Sequence, residues 1–135
     1  TYLQKGYSQD WINQRLKSIE IRKALTDEWE TRGVKEGLEF AILTNEITEA
    51  WTGLTTKQYK NLKGLKKENL RDNMTNLELV LSMLAETATT EISQKRQPTN
   101  FPENKKVAKE GGTVAGNARK EAEKKIIKLL KDNLR

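Results

Sequence analysis

The chain has 135 residues, 35% hydrophobic and 33% charged, and 25 Lys and Arg against 19 Asp and Glu give a net charge of +6. That length suits one domain with one modest core, and the composition is polar for a globular protein. With no Cys there is neither a disulfide framework nor a thiolate metal site, and with no His the commonest general base and zinc ligand are gone.

Nothing in the sequence reads as strand. Trp11, Leu16, Ile19, Leu25 and Trp29 mark one face of a first helix, with Ser8 at its N-cap. Thr26, Asp27 and Glu28 are able to restart a helix, so a bend near Leu25 is expected. Arg32-Gly33 reads as its stop, a basic side chain followed by a permissive glycine. A second helix is expected from Lys35 to Trp51, with Leu38, Ala41, Ile42 and Ile47 inward and Thr52-Gly53 ending it.

A third helix starts at Thr55, where Thr55 and Gln58 form a capping box. Gly64 breaks or kinks it, and a short helix from Lys66 to Arg71 is expected beyond. Asp72-Asn73 is turn chemistry. Thr75 and Glu78 form a second capping box and open the clearest helix, with Leu77, Leu81, Leu84, Ala88 and Ile92 on its expected inner face. Gln97 to Pro102 holds both prolines and reads as a linker. The spans are therefore a helical core, 1–97, and a C-terminal helical segment, 98–135, packed on the core or on a partner subunit.

That last segment carries a small-residue face of Ala108, Gly111, Gly112, Ala115 and Ala122. The Gly112/Gly116 spacing predicts close approach of another helix rather than a membrane dimer motif. Its end, Glu121 to Arg135, is basic and amphipathic, with Ile126, Ile127, Leu129, Leu130 and Leu134. The sequence thus reads as an all-α bundle of about five or six helices, with a segment compatible with a helix-turn-helix and a long C-terminal helix.

The positive charge is unevenly placed. Residues 57–71 hold six bases and one acid, and residues 95–135 hold twelve and five. Residues 1–56 hold seven and nine, and residues 72–94 hold four acids and no base. Within 57–71, at about 100° per residue, Lys57, Lys60, Lys63, Lys67 and Arg71 fall on one third of a helix. Tyr59, Leu62, Leu65 and Leu70 fall on the other side. Lys57, Lys60, Lys63, Lys66, Lys67 and Arg71 are therefore the candidate docking residues for phosphate or an acidic protein surface. A solvated helix face is the bland alternative. Tyr59 is the one aromatic in the run, so base stacking is poorly supported. Arg15, Lys17, Arg22 and Lys23 add a lesser positive face, with intrahelical pairing to nearby acids expected.

Catalysis finds no support: there is no nucleotide loop after a strand, no G-x-S-x-G and no acid pair whose spacing demands a shared site. No cofactor, metal or small-molecule substrate is expected. No apolar run approaches the roughly 20 residues of a membrane span and no signal peptide opens the chain, so a cytoplasmic location is expected. Thr1 in place of an initiator Met suggests a piece of something longer.

The runs WINQRLKSIEIRKALTDEW (Trp11–Trp29), GVKEGLEFAILTNEITEA (Gly33–Ala50) and LKGLKKENLRDNMTNLEL (Leu62–Leu79) resemble the C-terminal half of the DNA damage-inducible protein D family. ATTEI (Ala88–Ile92) and KEGGTVAGNARK (Lys109–Lys120) do so too, in the same order, so the resemblance spans residues 5–121. The family is bacterial, tied to the SOS response and similar to phage antirepressors in carrying an N-terminal Bro-type domain. That domain is absent here, so its presumed DNA binding does not carry over. The resemblance implies modulation of a recombinase (RecA-type) filament on single-stranded DNA. It implies no catalytic residues, and its basic run corresponds to Lys63, Lys66, Lys67 and Arg71. The tail after Glu121 departs from the pattern. The expected function is a non-catalytic module that docks on DNA or on a recombinase filament. The alternative is a dimerisation or antirepressor module, a homodimer through the C-terminal helix, that binds protein without touching nucleic acid.

Overall fold

The computed structural model describes residues 1–125 and Leu130. Among them the fold is all-α. The helices are α1 (Gln9–Thr31), α2 (Leu38–Thr52), α3 (Thr56–Leu62), α4 (Asn76–Arg96) and α5 (Phe101–Glu123), with a 3-10 turn at Arg71–Asn73 before α4. Of the basic tail, Ile126, Ile127, Leu129 and Leu134 lie outside the described residues. Leu130 is buried in the core.

The helix ends follow local chemistry. Ser8 caps α1, and Thr55 and Thr75 make the two expected capping boxes of α3 and α4. α1 and α3 end alike. The amide of Val34 donates to Trp29 O and that of Gly33 to Glu30 O, while Leu65 donates to Lys60 O and Gly64 to Asn61 O. Gly33 (φ +82°) and Gly64 (φ +74°) supply the left-handed residue this double closure needs. α1 runs unbroken past Leu25, because the Thr26 hydroxyl donates to the Lys23 carbonyl within the helix instead of starting a new cap. α5 begins earlier than expected, at Phe101. Asn100 caps it, and Pro102 lies in the first turn, where a missing N–H costs nothing.

The central helix is α4, packed on α1 and α5, and α5 also packs on α2. The first two run in step: Trp11 Nε1 donates to Met74 O, Arg22 pairs with Glu86, and Ser93 Oγ donates to Glu28. α5 meets α2 and α4 through glycine. A Cβ on Gly112 would lie 2.6 Å from Ile47 O, one on Gly116 2.5 Å from Ala50 O, and one on Gly111 2.7 Å from Thr89 Cα. The small-residue face thus seats α5 against two backbones at once.

The apolar periodicity misplaces several faces. Leu16 and Ile19 are about half exposed, Leu38 is 75% exposed, Ala41 is exposed, and Leu84 faces water. Arg15, Ser18 and Glu28 turn inward on α1 instead. On α4 the expected Leu81 is buried, together with Leu79, Met83 and Ala85, but so are Glu78, Ser82, Glu86, Thr89 and Ser93. The physical reason is pairing: Arg22–Glu86 and Ser93–Glu28 link α1 to α4 alongside the apolar cluster that holds Leu25, Trp29, Leu79 and Leu81. Polar residues hold the inner positions because partners satisfy them.

Candidate docking groove

α3 has an inner and an outer side. Tyr59 and Lys63, four residues apart, share the inner one. Both are buried, Lys63 to 4% exposure. Lys63 Nζ donates to Glu78 Oε1 at 2.8 Å, with neither side chain exposed. The Tyr59 hydroxyl donates to Glu78 Oε2, and the Thr75 amide to Oε1 at 2.9 Å. One carboxylate therefore caps α4, neutralises the end of α3 and anchors its tyrosine. Burial pushes Glu78 above the ordinary carboxylate range, against the opposing pull of Lys63, the Thr75 amide and Tyr59. The Tyr59 hydroxyl is pushed far up by burial and by the Glu78 charge.

Arg71, half-buried, also points into the fold. It forks onto Glu86, with Nη1 to Oε1 at 3.1 Å and Nη2 to Oε2 at 2.7 Å. Arg22 reaches the same carboxylate at 3.0 Å and donates to Thr44 Oγ1 at 2.6 Å. Burial alone would raise Glu86, but the two guanidiniums, Arg71 foremost, hold it below the ordinary range. Two of the five bases that the sequence placed on the docking stripe, Lys63 and Arg71, thus serve the fold. The basic run is also not helix, turn, helix. The short helix expected from Lys66 is a loop, because the Glu68 carboxylate accepts the Lys66 and Lys67 amides at 2.8 and 3.0 Å, diverting them from helical bonding. Asp72 closes that loop onto the N-terminal segment, accepting from Tyr2 and from Arg15 (2.8 Å), while its carbonyl accepts from Tyr7.

The outer bases behave differently. Lys57, Lys66 and Lys67 are exposed and Lys60 is half-buried. Among the described residues none of the four has an ion-pair partner. Lys57, Lys60 and Lys66 line one open groove of about 900 Å³ between α2 and α3, joined by Arg22 from α1. No acid lines it, although the nearby Glu68 carboxyl, held below its ordinary range chiefly by the Lys66 amide, also feels the Lys60 charge. Lys67 is not part of the lining.

The rest of the wall is mixed. Ala41, Ile42 and Leu65 are apolar, and Asn61 and Thr55 are polar. Asn45 on the α2 wall is already occupied, since its side-chain oxygen accepts the Thr56 amide at 2.8 Å and so fixes the start of α3. The sequence singled out the lysines and saw charge in Arg22. It assigned Arg22 to intrahelical pairing, as Lys17–Glu20 and Lys23–Asp27 do pair, and its place in the groove follows only from the reach to Glu86 and Thr44. Among the described residues no group of three or more acidic side chains is placed to hold a metal, and no helix is long and apolar enough to cross a membrane.

Comparison with known proteins finds no family model, no curated protein and no solved structure that matches this chain.

Proposed function

We propose that this domain is a non-catalytic docking module that engages an anionic partner through the groove between α2 and α3. The observation that carries the proposal is the convergence of Lys57, Lys60 and Lys66 on one concavity with no acid in its lining, where Arg22 is already held by Glu86. Cations focused in a cleft raise the local concentration of anionic partners more than the same cations spread over a convex face. The resemblance to the DNA damage-inducible protein D family names the partners to try first: DNA, or a recombinase filament assembled on it, in the bacterial cytoplasm. On this reading Lys57, Lys60 and Lys66 make the contacts. Lys63 and Arg71 hold α3 and the following loop in position.

The test is a salt series. The domain is titrated with single-stranded DNA, with duplex DNA and with recombinase filaments. At least one should bind, with affinity falling steeply as salt rises. If none binds while the domain alone is a tight dimer, the dimerisation or antirepressor reading replaces this one.

A further inference from the structure

We propose that the α2–α3 groove accepts an acidic peptide segment carrying an apolar anchor side chain, so that its natural occupant is a protein rather than a phosphate backbone. This rests on the reading of the groove as the docking site and specifies its ligand. Three features of the lining carry it.

The first is the apolar patch. Ile42 is half-buried and Leu65 is 8% exposed, yet neither belongs to the main core cluster built around Trp11, Trp29, Leu43 and Tyr59. Both line the groove, with Ala41 beside them. A phosphate backbone has nothing apolar to place against such a patch, whereas a leucine-sized side chain would cover the exposed Ala41 and half-buried Ile42 over the already buried Leu65. The second is Asn61, which lines the same groove, is exposed, and has no side-chain hydrogen bond among those described. An amide offers both a donor and an acceptor, which matches a peptide bond; a phosphate diester only accepts. The third is the lack of any aromatic in the lining. Base stacking, the main non-ionic attraction for a single strand, has no platform. The cations then select sign. Lys57, Lys60 and Lys66 ring the patch and favour Asp or Glu flanking the anchor, which is charge complementarity of the kind that sets partner choice.

The probes are two short Asp/Glu-rich peptides, differing only in a central Leu or Gly, and an oligothymidine. Binding to the domain is followed by fluorescence anisotropy. The Leu peptide should bind about tenfold tighter than the Gly peptide. Ile42→Ser should abolish that difference without changing oligothymidine binding. Lys57→Glu/Lys60→Glu/Lys66→Glu should weaken both peptides by about tenfold or more. If the Leu and Gly peptides bind alike, or Ile42→Ser leaves their difference intact, the peptide assignment is overturned. Oligothymidine binding tighter than the Leu peptide would assign the groove to nucleic acid instead. If neither peptide nor oligothymidine binds, the docking reading falls together with the peptide assignment.

Discussion

Lys63 and Glu78 meet at 2.8 Å with neither side chain exposed to solvent, and this contact joins the end of α3 to the first turn of α4. It divides the basic run by role. A charge that faces Glu78 or Glu86 holds the groove wall in place, and one that faces the groove is available to a partner.

Removing one member of the Lys63–Glu78 pair leaves the other as an uncompensated buried charge. Lys63→Met should destabilise the domain by about 3–5 kcal/mol in chemical denaturation, and Glu78→Gln, which mimics the neutral carboxyl that burial favours, should cost less. The double variant should cost clearly less than the two losses added together, because it leaves no orphan charge. Simple additivity would mean the two side chains are not coupled.

The two buried glutamates should give opposite pH signatures. Glu86 sits below its ordinary value of 4.5, so it contributes stability above about that pH that is lost as the pH falls through its folded-state value. Glu78 is raised above 4.5, so its contribution is full below that pH and declines as the pH rises through its folded-state value. Denaturation at a series of pH values should therefore show the gap between wild type and Glu86→Gln closing on acidification. The gap between wild type and Glu78→Gln should widen. Parallel trends in the two gaps would contradict these assignments.

At the α5 seam the neighbours are backbone atoms and have no rotamer in which to retreat. Gly112→Ala and Gly116→Ala should each cost about 1–3 kcal/mol or more by overpacking. Val114→Ala, on the exposed side of the same helix, should stay within about 0.5 kcal/mol. Thermal melts of the three variants decide it.

Paired polar residues link α1 to α4, while Leu16 and Ile19 on α1 stay about half exposed. Leu16→Ala and Ile19→Ala should change stability by no more than about 0.5 kcal/mol, since both are about half exposed. Ser18→Leu should be costly, because Ser18 is fully buried and its hydroxyl bonds Arg15 O at 2.6 Å. A costly Leu16→Ala in urea titrations would mean that this face is covered.

What the sequence made legible was local. The capping boxes at Thr55 and Thr75, the stop at Gly33 and the break at Gly64 each depend on a few adjacent residues, and the structure has all of them. The close approach at Gly112 was legible for the same reason. The inner faces were not, because apolar spacing alone makes Leu16, Leu38 and Leu84 look internal and Glu78 and Glu86 look external. Their true positions depend on partners 15 residues away in the Lys63–Glu78 and Arg71–Glu86 contacts and 64 residues away for Arg22–Glu86. The docking stripe failed in the same way. Helical geometry puts Lys57 and Lys63 on one broad face, and only the long-range acid shows which of them turns in.

The most direct measurement reverses the outward charges alone. Lys57→Glu/Lys60→Glu/Lys66→Glu should leave the melting temperature and helix content close to wild type, since none of the three has an ion-pair partner among the described residues. Its affinity for the anionic partner that binds best at low salt should fall by about tenfold or more. Lys63→Glu should instead lose binding together with folding. Wild-type affinity in a folded triple variant would contradict the account.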